Sequence, residues 1–210
     1  MKQANQMEIE IKLSLGSFMD YLKLIGLLCP LDDEIHHTNG FFDTEDRRFA
    51  RGGWALRARA ESRRGLLTIK SIPTEEGMAV VRREIEAEIP RGLAQDILSL
   101  QHDIMSVDVP PIHFLKKEFP KASPAKLIQF ENVRQFKKFP IGDREYMLEI
   151  DKTSFSDGSV DYELEVEFDD MEQREKIENG LQKLLVSLGI RYERQAESKF
   201  HRALKKARLL

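Results

Sequence analysis

Glu8, Glu10 and Lys12 alternate with Ile9, Ile11 and Leu13, so an extended chain would carry two carboxylates and an ammonium on one face and three aliphatic side chains on the other. The same division recurs along the chain. Arg57 and Arg59 alternate with Leu56 and Ala58, and Glu84, Glu86 and Glu88 stand opposite Ile85, Ala87 and Ile89. Glu149 and Asp151 alternate with Leu148 and Ile150, and Glu163, Glu165 and Glu167 with Leu164, Val166 and Phe168. Carboxylates grouped in this way suit Mg²⁺ or Mn²⁺, hard cations that want oxygen ligands. Arginines two residues apart present planar forks that grip phosphate oxygens.

One such strand reads as the solvated face of an antiparallel sheet. Five do not, because like charges beside one another on an outer face repel for no gain. The alternative is a closed sheet with the charges lining its lumen and the apolar faces packed outward against helices; eight strands leave room for one small ligand. Isolated buried ions are costly, so such a lumen must pair its charges or hold a polyanion with a divalent metal.

Eight runs of period two supply the strands, near residues 7–13, 36–44, 53–61, 65–72, 79–90, 127–138, 144–154 and 160–169. Turn signals such as Gly52-Gly53, Arg64-Gly65 and Ile141-Gly142-Asp143 separate several of them. Helical spacing appears at Phe18–Leu28 after the N-cap candidate Ser17, at Leu93–Leu100, at Ile177–Leu188 and in the basic tail around 195–208. The proline-rich stretch 105–126 is a connector with room for a short helix, dividing five strands from three. The expected fold class is α+β: an eight-stranded antiparallel β tunnel, with a charged lumen and helices outside, as one domain over residues 1–210.

The chain has 33 basic and 36 acidic residues among 210, a net charge of −3 that conceals opposed blocks. Seven arginines stand against Glu61 alone between Arg47 and Arg64, and nine acids against Arg174 alone between Asp157 and Glu175. A nucleic-acid binder shows one-signed excess on a known module, and none is visible, so no nucleic-acid partner is expected. The 41% hydrophobic fraction excludes wholesale disorder, and the single Cys29 excludes a disulfide scaffold. No stretch approaches the length of a membrane helix and residues 1–6 carry no apolar signal core, so no membrane partner and a cytoplasmic location are expected.

Glu8-x-Glu10-x-Lys12, Phe41-Phe42-Asp43-Thr44, Leu56-Arg57-Ala58-Arg59, Ile69-Lys70, Glu131-Asn132-Val133-Arg134, Leu148-Glu149-Ile150-Asp151, Tyr162-Glu163-Leu164-Glu165 and Ser198-Lys199-Phe200 occur in this order. The set resembles the CYTH domain family, the triphosphate tunnel metalloenzymes, and is most similar to its plant inorganic tripolyphosphatase branch. The resemblance implies an eight-stranded antiparallel tunnel and hydrolysis of a triphosphate with Mg²⁺ or Mn²⁺. It implies substrate-binding cations at Lys12, Arg57, Arg59, Lys70, Arg134 and Lys199, and metal-binding acids at Glu8, Glu10, Glu163 and Glu165. Glu84, Glu86, Glu149 and Asp151 match further acidic positions, assigned together to catalysis. The expected substrate is inorganic triphosphate, cleaved to release orthophosphate. Class IV-type adenylyl cyclase and thiamine triphosphatase are the alternatives, and a polyphosphate- or nucleotide-binding module without turnover is a rival of another class. A departure is Phe41-Phe42, where many members carry Tyr before the Asp-Thr pair; it removes a hydroxyl and bears on specificity, not on the fold.

Other polar residues have blander readings. Cys29, closing an apolar helix, is expected in the core. His36 and His37 point to opposite faces of a strand, cannot share one ion, and are expected at the surface or an edge. Gly52-Gly53 lacks the lysine and helix of a P-loop and reads as a turn. Arg63, Arg64, Lys116 and Lys117 are expected on a solvated surface, and Arg202, Lys205, Lys206 and Arg208 toward water or at the helix C-terminus.

Overall fold

The computed structural model describes residues 4–209. Its strands are β1 (Ala4–Leu15), β2 (Asp33–Asp43), β3 (Trp54–Ala60), β4 (Gly65–Ser71), β5 (Thr74–Glu76), β6 (Ala79–Ile89), β7 (Ala125–Ile141), β8 (Arg144–Ser154), β9 (Val160–Glu167) and β10 (Tyr192–Arg194). Its helices are α1 (Phe18–Leu28), α2 (Arg48–Arg51), α3 (Arg91–Leu98), α4 (Pro110–Glu118), α5 (Arg174–Ser187) and α6 (Lys199–Lys206). Each expected strand and helix has a counterpart here; the short β5, β10 and α2 were not foreseen, since three or four residues carry no readable period. None of the described helices is long and apolar enough to cross a membrane.

Eight strands form a ring in the order β1-β9-β8-β7-β2-β3-β4-β6, with β6 pairing back onto β1 and every neighbour antiparallel. β5 and β10 are short additions on β6 and β1. Closure turns every strand's charged face inward, and the outward faces make the core. Ile11, Leu13, Leu148, Ile150, Leu164 and Val166 pack with Tyr21, Leu24 and Leu28 of α1 and with Ile177, Leu181 and Leu185 of α5. On the other side Leu56, Ala58, Leu67, Ile69 and Ile85 meet Ala94 and Ile97 of α3 and Ile112 and Leu115 of α4. Gly65 allows that approach: a Cβ there would lie 2.4 Å from Ala94 Cβ.

Local signals explain the ends of the elements. Ser17 caps α1, its Oγ accepting from the Asp20 backbone N–H. Pro110 opens α4, where a missing N–H costs nothing. Asp43, buried at the end of β2, accepts backbone N–H groups from Thr44 and Phe49 at Oδ1 and from Ala50 at Oδ2. Together with Thr44 Oγ1, which accepts from Arg48 N–H, it shapes the turn that carries α2 and leads into β3.

Three expectations are corrected. Cys29 is exposed, because Leu24 and Leu28 take the inward positions of α1 and Cys29 lies past its last turn. His37 is buried, facing the lumen beside Asn39 and Phe41 on the inward parity of β2, and only His36 is exposed. Arg202 is buried too: its Nε donates to Asp161 Oδ2 at 2.8 Å and its Nη2 lies 2.9 Å from Glu163 Oε2.

Replacing Asp43 by Ala strands three backbone donors around the β2–β3 turn. Hydrogen bonds to a charged acceptor are worth about 1.5–3 kcal/mol each before relaxation, and a net loss of about 2–3 kcal/mol is expected for Asp43→Ala. A melting curve should show Tm lower by roughly 5–10 °C; an unchanged Tm would exclude Asp43 as the anchor of the turn.

Candidate active site

The ring register brings like charges face to face. Glu10 stands opposite Glu167, Glu149 opposite Glu165, and Asp151 opposite Glu163. Such pairs repel unless cations sit between them, and cations do. Lys12 Nζ lies 3.1 Å from both Glu10 and Glu165. Arg134 donates from Nε and Nη2 to the two oxygens of Asp151 at 2.8 and 2.6 Å, and further to Glu165 and Glu149. Lys70 bridges Glu8 and Glu84 at 3.0 and 2.7 Å, and Arg82 bridges Glu8 and Glu10. Lys199, the first residue of α6, reaches Asp151, Glu163 and Glu165.

The lumen is a cavity of about 840 Å³, lined by twelve of the fourteen residues singled out above. Asp151 and Glu163 are the other two; fully buried, they stand behind Arg134 and Lys199. The four acids assigned to metal do not form one group. Glu8 and Glu10 gather with Glu167, whereas Glu163 and Glu165 gather with Asp151, and within each triad carboxylate oxygens lie within 4.8 Å of one another.

Burial opposes every charge here, and the balance varies from group to group. Despite burial, the Lys70 ammonium and Arg82 guanidinium hold Glu8 well below the usual carboxylate range, and Lys12, Lys199 and Arg134 do the same for Glu165. Burial prevails at Glu84, which is raised, and at Glu149, where the charges of Glu165 and Asp151 add to it. At the tunnel end Glu167 keeps an open edge to solvent, yet desolvation by the walls, then Glu149 and Glu8, push it up to about 8. Glu167 has neither an ion pair nor a hydrogen bond among the described residues.

The opposite wall is short of anions. Arg57 donates from Nη2 to Thr68 Oγ1 at 3.1 Å and to Glu86 Oε2 at 3.4 Å, while its buried Nε has no hydrogen-bond partner among the described residues. Arg59 donates from Nε to Asn39 Oδ1 at 2.8 Å, and its nearest carboxylate, Glu61, is 3.7 Å away. Burial, then the neighbouring Arg57 and Arg134, lower Arg59 to about 10. A wall of guanidinium groups so under-compensated is suited to an anion with several oxygens.

Glu167, Arg82, His37, Asn39, Thr68 and Arg202 were not among the assigned site residues. Strand parity could have found most of them: Glu167 lies two residues past Glu165, Arg82 two before Glu84, and Thr68 two before Lys70. His37 and Asn39 precede Phe41 on the same parity. Arg202 had no such signal, because a helix of eight residues can turn a cation toward or away from the ring with equal ease.

Residues 6–202 match the CYTH domain. Among solved structures the chain is similar to HpAC1 of Hippeastrum, a candidate adenylyl cyclase with a dominant triphosphatase activity. The two are 27% identical over 94% of this chain and 95% of that one, with a TM-score of 0.85. An adenylate cyclase candidate of Bacillus halodurans, 22% identical over 93% of this chain and 97% of its own, superposes with a TM-score of 0.68. A Pyrococcus horikoshii protein, 18% identical over 94% and 99%, does so with 0.60; these last two share the fold. No curated protein matches the chain.

His37 allows a test of the charge surrounding the cavity. Burial, then Arg59 and Arg134, lower its imidazole from 6.5 to about 2, so the folded chain keeps it neutral while the unfolded chain protonates it below about 6.5. Its contribution to stability is therefore complete above that pH and falls away as the pH drops toward 2, by at most about 1.4 kcal/mol per pH unit. Melting temperatures of the chain and of His37→Gln, measured from pH 7 to pH 4, should converge as the pH falls. Parallel curves would mean that His37 is not held neutral by its surroundings.

Proposed function

The chain belongs to the CYTH domain family, and we propose that it is a metal-dependent hydrolase of triphosphates, with inorganic triphosphate as substrate and orthophosphate as product. The observation that carries this reading is the pairing of an anion-deficient guanidinium wall with two carboxylate triads inside one closed sheet. A lumen that bound only an anion would not need ten carboxylates in its lining, and one that bound only a metal would not turn Arg57, Arg59 and Arg134 toward it. The family and the dominant triphosphatase activity of HpAC1 support the same chemistry.

Glu8, Glu10 and Glu167 fit a divalent cation: all are oxygen donors, their oxygens lie within 4.8 Å, and Glu167 forms no ion pair among the described residues. When bound there, Mg²⁺ or Mn²⁺ would neutralise phosphoryl charge and lower the pKa of a coordinated water. Glu163 and Glu165, assigned with Glu8 and Glu10 to metal, face Lys199 instead and would act on the metal only after exchange of that ammonium.

The remaining work falls to the chain's own side chains. Arg57, Arg59 and Arg134 take phosphoryl oxygens as forks, and Lys12, Lys70 and Lys199 as point charges, so that the triphosphate replaces carboxylates as their partner. Asp151 grips Arg134 through two hydrogen bonds and fixes its plane. Glu86 does a similar service for Arg57, directly and through Thr68, whose hydroxyl donates to Glu86 at 2.8 Å. Water attacks a terminal phosphorus, the bond to the departing diphosphate oxygen breaks, and the water proton passes to a lumen carboxylate. Glu84 and Glu149, both raised by burial, are suited to hold it. In a cyclase the 3′-hydroxyl of ATP would replace water, and the base would need an aromatic face; Phe41 already spends its own on Phe200, with centroids 4.3 Å apart and planes 7° from parallel.

Phosphate release from inorganic triphosphate, ATP and thiamine triphosphate, each with Mg²⁺ and Mn²⁺, tests the assignment. Inorganic triphosphate should give the highest kcat/KM, EDTA should abolish turnover, and ATP should yield no cyclic AMP; a preference for either organic substrate would move the chain to that branch. Arg57→Ala and Arg59→Ala should each lower kcat/KM about tenfold to a hundredfold, the worth of one charge-assisted contact. Lysine at either position should restore only part of it. Normal kinetics with a depressed Tm would instead mark both arginines as structural.

A further inference from the structure

His37 is the one buried imidazole among the described residues, 2% exposed and lining the same cavity as Arg59 and Arg134. Its Nε2 lies 3.5 Å from Glu61 Oε1, whereas Nδ1 is buried and has no hydrogen-bond partner among the described residues. The neighbouring amides are engaged elsewhere. Asn132, opposite His37 in the β2–β7 ladder, donates to Asp151 and accepts from Thr153, and Asn39, two residues along β2, accepts from Arg59. A buried polar nitrogen left open in a network whose other members are paired is costly, and it points to a partner that arrives with a ligand.

The charges around the ring say what that ligand is. Arg57 and Arg59 on β3 and Arg134 on β7 act on His37, against the carboxylates of Asp151 on β8 and of Glu61 just past β3. Both acids already hold cations: Arg64 Nε donates to Glu61 Oε2 at 2.8 Å, and Arg134 and Lys199 bind Asp151. Burial, and then this net positive field, keep the imidazole uncharged. An anion of several charges laid against Arg59 and Arg134 reverses the sign of the field. We propose that His37 is a substrate-binding group that gains its charge with the substrate: it takes a proton from solvent as triphosphate binds, donates Nδ1–H to a phosphoryl oxygen and turns Nε2–H to Glu61. The proton returns to solvent when the products leave. A permanent cation at this position would add to the repulsion among guanidinium groups that already lowers Arg59; an imidazole adds charge only when the anion is there to meet it. By reciprocity, the proton strengthens triphosphate binding by the factor by which triphosphate strengthens proton binding. The inference rests on the functional reading above for the identity of the anion.

Calorimetric titration of inorganic triphosphate with Ca²⁺, in two buffers of different ionisation enthalpy, gives the number of protons taken up for each triphosphate bound. The ligand and the lumen carboxylates contribute alike in the unaltered chain and in His37→Gln, so the difference belongs to His37. At pH 6.5 the unaltered chain should take up about one proton more than His37→Gln. His37→Gln should bind triphosphate about tenfold more weakly at pH 6, and the gap should narrow toward pH 8. Glu61→Gln removes the carboxylate that faces Nε2 and should move the extra uptake to lower pH. Nitrogen-15 resonances of the histidine rings need no variant: the other four histidines are exposed, and the His37 ring should pass from one protonated nitrogen to two when triphosphate and Ca²⁺ are added. Equal uptake in the two chains, or a His37 ring that stays neutral in the complex, would overturn the proposal and leave the triphosphate reading standing. Failure of both chains to bind triphosphate would refute that reading and this inference with it.

Discussion

The rest of this structure depends on the mutual repulsion of carboxylates inside a closed sheet. The β1–β9 and β8–β9 ladders set Glu10 against Glu167, Glu149 against Glu165 and Asp151 against Glu163. These pairs persist because Lys12, Lys70, Arg82, Arg134 and Lys199 each serve two or more acids. Such a network adds little to stability, since desolvation cancels much of its attraction. The outward apolar faces, covered by α1 and α5 on one side and α3 and α4 on the other, carry that burden. With stability supplied from outside, the lumen is free to be a site.

Shared cations also make the lumen ready to change partners. A guanidinium divided among several carboxylates can transfer to phosphoryl oxygens with its charge and plane already in place, so little reorganisation accompanies binding. The asymmetry of the walls gives direction to that exchange. Among the described residues, acids are in excess around β1 and β9, where Glu167 forms no ion pair, and arginines are under-compensated around β3, where Arg57 Nε has no hydrogen-bond partner. A divalent ion and a polyanion would each correct the deficit of one wall. This is a physical reason for triphosphate chemistry in such a tunnel, and it accords with the triphosphatase activity of HpAC1, 27% identical across nearly the whole chain.

Much of this was legible in the residues because a strand has a strict period of two. Once Glu8, Glu10 and Lys12 shared a face that could not profit from solvent, the sign of the lumen and the closure of the sheet followed, and the eight ring strands were found from the same alternation. Pairing was not legible: which acid faces which cation depends on the shear of the ring, so the grouping of Glu8 and Glu10 with Glu167 appears only in the register. Helical residues were read less well for the same physical reason. Cys29 and Arg202 each lie within a turn of a helix end, where one residue of rotation exchanges core for solvent, and both were expected on the wrong side. His37 was misplaced differently: its parity was correct, but a lone imidazole on a strand carries no signal that its face is the buried one.

The central claim is that one triphosphate and a divalent ion together complete the charge of this lumen. Calorimetric titration of inorganic triphosphate into the chain, with Ca²⁺ as the divalent ion and again in EDTA, measures it directly. The account predicts one triphosphate per chain with Ca²⁺ and affinity at least about tenfold weaker without it. Absence of binding, or the same affinity in EDTA, would contradict it.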